Sequence, residues 1–354
     1  MTDLETEIHW SISDVNSNSW DHIVNQSDVG GIYNTSDWLR VVEETHNVEG
    51  RHILVKKKGN PVAIFPNFKT KMRLPYSIKG KVPDNRLIPY ELASINVGYG
   101  GPIIQSDETD SFREIMEAVD TVLDWHTISH YIRPPNHDYV RYTELFDEYD
   151  YSPNLSRCRF EVSLNQAYGD IFNRMDKSRR RNLRNGYKND PVTQNEKITK
   201  ETINEFYDDY LEVMSRVGGE PKQKLFFERM NELCGDQMKI VKAIVDGETV
   251  GRHLYLLDHD RGTIHHEISG VPKKYFEYNS SELIHEHVIQ WGIIKGFDTF
   301  DFGPTPSDYR DGLFKYKEKY GGKIRPIITW EKSNSVLWPL YKRARSFYKK
   351  SIFQ

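Results

Sequence analysis

Short stretches of alternating hydrophobic and polar residues are separated along this chain by stretches with helical spacing. In the first part, Arg51–Lys56 and Val62–Pro66 have the pattern of strands, and the turn residues Gly59–Pro61 between them predict a β-hairpin. Ser111–His126 carries apolar residues at helical spacing, and Ser129–Arg133 predicts a strand after it. These elements predict helices packed against a sheet.

The second part of the chain repeats this order of elements. A strand predicted at Arg159–Leu164 precedes two helices, and Asp246–Gly247 is a typical hairpin turn. Ser280–Lys295 predicts a helix that Gly296 ends. The remaining predicted elements are helices at 202–217 and 222–234 and strands at 238–245, 249–257, 263–269 and 299–302.

The similar order of elements favours an α/β fold with mixed sheets, built from two similar domains. We place these domains at 1–150 and 151–332, followed by a basic aromatic tail at 333–354. One large α/β domain without internal duplication is the alternative that the pattern leaves open. The tail contains no acidic residue, so it either contacts an anionic membrane surface or packs on the body as a helix.

Composition and charge exclude several classes of protein. The net charge of −4 argues against a generally basic nucleic-acid binder, so any polyanion site must be a local patch. Cys158 and Cys234 have no paired spacing, which excludes a disulfide framework and a cysteine zinc site. The acidic first ten residues are unlike a signal peptide, and no apolar run is long enough to span a membrane. We therefore expect a soluble cytoplasmic protein.

A run of basic residues begins at Lys177. Six basic residues and no acidic one lie between 177 and 188, and helical spacing places most of them on one face. The opposite side carries apolar residues and the stem of Arg179. Guanidinium groups bind phosphate through paired hydrogen bonds, so this face could bind a phosphate-bearing substrate or an RNA backbone. A merely solvated basic face is the alternative. The predicted ligand residues are Lys177, Arg180, Arg181 and Arg184.

A second candidate site follows the strand at 299–302. Asp301 to Thr305 ends this strand, and a short lysine-bearing helix is predicted soon after it. Ligands gather at strand ends in α/β folds, and a lysine there could hold a phosphate or a developing oxyanion. A turn and a surface helix with solvated lysines would have the same spacing. The candidate residues in and after this strand are Asp301, Tyr309, Lys315 and Lys317.

Together these two motifs resemble the signature of the Fem-like branch of the GNAT N-acyltransferase superfamily. The resemblance covers about residues 32–330 and includes the segment Tyr33–Leu39, which contains Trp38. It is carried by Lys177, Ser178, Arg180, Arg181, Asn182 and Arg184, and by Asp301, Phe302, Gly303, Gly312, Leu313, Phe314, Tyr316, Lys317, Tyr320, Gly321 and Gly322.

The resemblance implies two tandem GNAT-like domains and acyl transfer to an amine. Peptidoglycan members of the family use aminoacyl-tRNA as donor and a lipid-linked or nucleotide-linked muropeptide as acceptor, whereas other relatives use acyl-CoA. By this resemblance Lys317 steadies the oxyanion, with Asp301 as the second catalytic residue. Basic residues elsewhere hold phosphates, and Trp38 and Arg252 join the candidate substrate contacts. The resemblance implies no tightly bound cofactor.

Two departures from the family keep other functions open. Residues 190–235 are too short for the coiled-coil arm of Fem enzymes, and the segment Lys273–Ser280 lacks the glycines that cradle the diphosphate of coenzyme A. The alternatives are an acyl-CoA acetyltransferase for a small amine or polysaccharide and a non-catalytic protein that binds an anion or RNA. His285 and His287 point in different directions on a helix, so we predict no metal site.

Overall fold

The computed structural model describes residues 3–72, 88–95, 97–335 and 338. It divides into two compact units: one contains the residues up to Leu155 and those from Ile327 onward, and the other is Ser156–Pro326. In the described residues, no helix has the length and apolar character needed to cross a membrane. Most of the predicted tail at 333–354 lies outside the described residues. Its Trp338 is buried and packs edge-on against Tyr131 in the first unit.

The first unit contains two groups of strands. One has the order β1-β3-β4-β7, and in the other β2, β5, β6 and β8 are neighbours in that order. Its elements are β1 Leu4–His9, α1 Ser17–Gln26, α2 Ser36–Thr45, β2 Val48–Gly50, β3 His52–Lys57, β4 Asn60–Phe65, β5 Phe68–Lys71, β6 Tyr90–Ala93, β7 Ile103–Ile104, α3 Glu108–Val122, β8 Thr127–Ile132 and α4 Thr143–Glu148.

The hairpin predicted in the first unit is present as β3 and β4. Lys58 and Gly59 both have positive φ angles, which matches the tight turn that twisted antiparallel strands prefer. The apolar face of α3 packs on β3, with Phe112 and Ile115 against Ile53 in one core. The structure therefore confirms the alternating and helical patterns that predicted these elements.

Strand β9, Tyr151–Ser163, carries the chain into the second unit. The sheet of this unit has the order β10-β11-β12-β13-β14-β9, and β15 pairs with β9. Its other elements are α5 Tyr168–Arg174, α6 Lys177–Tyr187, β10 Val192–Glu196, α7 Lys200–Val217, α8 Lys224–Cys234, β11 Met238–Val245, β12 Glu248–Asp258, β13 Thr263–Gly270, α9 Ser280–Lys295, β14 Thr299–Asp301, β15 Thr305–Pro306 and α10 Gly312–Glu318; β16 is Lys323–Ser333.

Helix α9 is the central helix of the second unit. Leu283, Ile284, Val288 and Ile289 are all buried in the same core as residues from the sheet. A helix that buries residues on most of its faces lies inside a domain, so α9 gives this unit a rigid centre. It runs over the residues predicted from the sequence and is ended by Gly296 in a left-handed conformation.

Strands β13 and β14 are the only parallel neighbours among the described strands of the second unit. They pair at three positions, ending where His265 lies opposite Asp301. Strand β13 then continues to Gly270, whereas the chain after β14 turns at Gly303, which has a φ of 72°. The ladder therefore ends at this pair. A side-chain carbon at Gly303 would lie 3.1 Å from the carbonyl oxygen of His266, so the chains are still close there, and we call the region between Glu267–Gly270 and Phe302–Pro304 the notch.

Candidate active site at the notch of the second unit

Lys317 lies on α10 and points at the turn that follows β14. Its Nζ donates hydrogen bonds to the carbonyl oxygens of Gly303 at 2.9 Å and Pro304 at 3.1 Å. An ammonium group has three N–H donors, so one remains for a ligand as far as the described residues show. Burial lowers the pKa of Lys317 to about 8, although nearby Asp301 opposes this shift. A buried cation with a spare donor suits the stabilisation of a developing oxyanion.

Asp301 ends β14 and is fully buried. Its carboxylate accepts hydrogen bonds from the backbone N–H of Gly303 at 2.8 Å, from His265 Nδ1 at 3.2 Å and from Arg159 at 3.3 Å. Burial alone would raise the pKa of Asp301, but Arg159, His265 and the Gly303 N–H together hold it at about 2. Asp301 thus fixes the turn whose carbonyls hold Lys317.

The side chain of Arg179 is buried along its whole length. It forms an ion pair with Glu282 at the start of α9, and its guanidinium lies 4.4 and 4.3 Å from the ring centres of Tyr316 and Tyr320. The sequence predicted burial of its stem alone. The buried ion pair joins residues 103 positions apart, which helical spacing cannot reveal. Arg179 therefore ties α6 to α9 and α10.

The remaining basic residues of α6 form its outer face. Lys177, Arg181, Arg184 and Lys188 are exposed, and Arg180 is half-buried with an Nε that has no hydrogen-bond partner. Across the described part of the chain, none of these five residues forms an ion pair. Four of these cations lie on α6 and Lys188 is its C-cap. They repel each other, and an anionic ligand would relieve that repulsion.

The other predicted ligand residues lie in different surroundings. Lys315 and Tyr309 are exposed to solvent, near Lys317 in the chain but not held in its hydrogen-bond network. Arg252 forms ion pairs with three carboxylates, those of Glu196, Glu205 and Asp209. Its guanidinium therefore binds acidic side chains of the protein, whereas the sequence suggested a substrate contact. Trp38 is fully buried in the first unit, where its indole N–H bonds to the carbonyl of Val97. Trp38 is therefore a core residue.

The start of α9 is covered by the chain itself. A side-chain carbon at Gly186 of α6 would lie 3.0 Å from Leu283 and 3.1 Å from the carbonyl of Tyr278, so a larger residue would push these groups apart by a few tenths of an ångström. The carboxylate of Glu282 already occupies the first turn of α9. Helix N-termini commonly bind phosphate. Here α6 is packed against that turn, and the Arg179–Glu282 ion pair supplies no net positive charge for an anion.

Comparisons with known proteins agree with this architecture. Residues 173–317 match a family model described as an acetyltransferase (GNAT) domain. The structure of FemX is similar, with a TM-score of 0.69 and 12% sequence identity over 96% of this chain and 99% of that one. L-PGS from Bacillus licheniformis is also similar, with a TM-score of 0.58 and 14% identity over 92% of this chain and 94% of that one.

A tandem GNAT protein from the clavulanic acid biosynthesis pathway has a TM-score of 0.55 and 9% identity, over 94% of this chain and 99% of that one. No curated protein matches the chain by sequence. The predicted mixed α/β fold of tandem GNAT-like halves is confirmed. In fold this chain is similar to FemX, and residues 173–317 of its second unit match a GNAT acetyltransferase domain.

Proposed function

We propose that this acyltransferase moves an acyl or aminoacyl group from an activated donor to an amine of a cell-envelope precursor or an amino sugar. The observation that carries the proposal is Lys317, a buried ammonium group held by two carbonyls beside the notch. In a parallel sheet, ligands bind beyond the carboxyl ends of the strands. The acyl carbonyl would lie there, within reach of the third N–H of Lys317.

The chemistry follows from this placement. The amine nitrogen attacks the acyl carbon, a C–N bond forms, and the carbonyl oxygen becomes an oxyanion that accepts a hydrogen bond from Lys317. The bond from carbon to the leaving oxygen or sulfur then breaks, and the amine proton leaves to the departing group or to water. Since the pKa of Lys317 is about 8, the residue is mostly protonated at pH 7 and can donate this bond.

The outer face of α6 supports a donor or acceptor rich in phosphate. Its unpaired cations suit a tRNA backbone or a phosphate-linked acceptor, because backbone phosphates are contacted mainly by Arg and Lys. The covered start of α9 weighs against a diphosphate bound there, as in a coenzyme A ester. We therefore favour aminoacyl-tRNA as donor. Acyl-CoA is the second candidate, favoured by the match of residues 173–317 to an acetyltransferase family.

A first experiment compares Lys317→Ala with Lys315→Ala, an exposed lysine of the same helix. Each protein is incubated with acetyl-CoA or with a charged tRNA pool, and with muropeptide precursors and amino sugars as acceptors. We expect Lys317→Ala to lose about 10²- to 10³-fold in turnover, the usual cost of losing one oxyanion donor. Lys315→Ala, which removes an exposed candidate substrate contact, should at most raise KM and should keep wild-type kcat. Equal turnover in the two variants would remove Lys317 from the mechanism.

A second experiment tests the outer face of α6 by filter retention of tRNA. Arg181→Ala and Arg184→Ala should each weaken tRNA retention. Each should also make the negative slope of log affinity against log salt shallower by about 1. Lys224→Ala, an exposed lysine on α8, is the matched control. Saturable stabilisation by acetyl-CoA without tRNA retention would select the acyl-CoA donor. Salt-sensitive RNA binding without turnover on any donor would indicate a non-catalytic RNA-binding protein.

A further inference from the structure

Three histidines that are far apart in the chain meet in the second unit. His253 lies on β12, His266 on β13 and His285 on α9, and one ligand nitrogen from each lies within 4.8 Å of the others. His253 and His285 are fully buried, and His266 is half-buried. From the sequence we compared His285 with His287 on one helix. The packing of the sheet on that helix instead brings His285 close to His253 and His266.

Hydrogen bonds hold these rings but leave one buried nitrogen without a partner. His253 Nε2 lies 3.2 Å from Ser281 Oγ, and His266 Nε2 lies 3.1 Å from Ser269 Oγ. The hydroxyl of Tyr255 lies 3.3 Å from His253 Nδ1 and 3.0 Å from His285 Nδ1. His285 Nε2 is buried without a hydrogen-bond partner among the described residues. Aromatic rings of Phe300, Phe302 and Tyr320 pack around this imidazole. A buried nitrogen left unpaired costs about 1–3 kcal/mol, so it calls for an explanation, and a bound ion is one such explanation.

The protonation state of the cluster is the one that metal binding needs. Burial lowers the pKa of His253 to about 3 and holds the pKa values of His266 and His285 well below their usual range. All three imidazoles are therefore neutral at pH 7. A neutral imidazole has one lone pair, so a ring whose lone pair now accepts a hydrogen bond must release that bond to bind a metal ion. The Tyr255 hydroxyl near Nδ1 of His253 and His285 fixes the orientation of both rings, which is the function that outer hydrogen-bond partners have at metal sites.

We propose that His253, His266 and His285 form a binding site for a divalent transition-metal ion, with Zn²⁺ as the preferred ion. Three imidazoles without a thiolate or carboxylate suit zinc and its neighbours rather than calcium or magnesium. Zinc–nitrogen distances of about 2.0–2.1 Å in a tetrahedron place ligand nitrogens about 3.4 Å apart. Small side-chain rotations would bring the three nitrogens from their present spread to that separation.

The test uses the full chain, stripped with EDTA and dialysed into metal-free buffer. Zn²⁺ is then titrated in competition with a chromophoric chelator, and Co²⁺ is titrated to observe the ligand-field absorption of a tetrahedral site. We expect one equivalent to bind and the melting temperature to rise. His285→Gln and the half-buried His266→Ala should each weaken binding at least about tenfold. His259→Ala, which removes an exposed histidine of the same unit, should leave it unchanged.

Two results would overturn the proposal. Absence of saturable Zn²⁺ and Co²⁺ binding to the stripped wild-type chain would show that the cluster is held by hydrogen bonds or water alone. Wild-type affinity in His266→Ala would place any bound ion elsewhere in the chain. The titration of the wild-type protein requires no variant, so it decides the matter even where His285→Gln fails to fold. Neither readout depends on acyl transfer.

Discussion

Replacement of Lys317 by methionine should change how the stability of this protein depends on pH. Lys317 is only 6% exposed, and burial lowers its pKa from 10.5 to about 8. Between these two pH values, the unfolded chain binds a proton that the folded chain does not. The free energy of unfolding of the wild type is therefore lowered below pH 8 and rises as the pH increases from 8 to 10.5.

The size of the effect follows from the same two values. Each pKa unit corresponds to 1.36 kcal/mol, so the depressed pKa of Lys317 represents about 3 kcal/mol. Methionine has a similar volume and no charge, so it escapes this cost. It also leaves the carbonyls of Gly303 and Pro304 without their donor, but that loss is the same at every pH. The stability of Lys317→Met relative to wild type should thus fall by about 3 kcal/mol between pH 7 and 10.5.

Urea denaturation at pH 7 and pH 10.5 measures this difference directly. The wild type, Lys317→Met and Lys315→Met are compared, because the exposed Lys315 reports the effect of a lysine that is not buried. The control difference should stay constant with pH. If the difference for Lys317→Met is equally constant, then Lys317 is not titrating from a buried state, and its assignment as a preorganised donor loses its physical basis.

Three further substitutions probe the residues that support Lys317. Arg179→Met leaves the carboxylate of Glu282 buried without its cation, so urea denaturation should show a loss of about 3–5 kcal/mol. Gly303→Ala forces a side chain into a positive φ, so we expect a loss of about 1–2 kcal/mol in the same assay. Asp301→Asn removes the negative charge that opposes the lowering of the Lys317 pKa, so the alkaline limb of the pH–rate profile should move to lower pH. An unshifted limb would contradict the link between Asp301 and Lys317.

Local patterns predicted most of the longer elements of the second unit, but not α5, β10, β15 or β16. The hairpin at Asp246–Gly247 is present, because both residues take the positive φ angles that such a turn requires. Helix α9 covers the residues predicted for it, since apolar residues and a terminal glycine are encoded in adjacent positions. Lys317 and Asp301 also come together, because a short loop and one turn of helix connect them.

The partners of charged side chains could not be predicted in this way. Arg252 was expected to face a ligand, but helix α7 and strand β10 bring carboxylates to it. The histidines of β12, β13 and α9 meet only because the sheet and helix pack as they do. Spacing along one element determines which face a residue occupies, whereas the residue opposite that face is determined by tertiary packing. The partners of Arg252 and the histidine cluster depend on tertiary packing, so spacing along the chain could not predict them.

The end of the β13–β14 ladder at His265 also has a consequence for mutagenesis. Past His265, no described strand of the second unit pairs with the β14-facing edge of β13. An extended ligand beside such an edge can form hydrogen bonds to peptide groups, and those groups are present whichever side chains the edge carries. Alanine scanning would leave that recognition intact and would underestimate it. A backbone ester at this edge would reveal main-chain recognition that side-chain substitutions leave undetected.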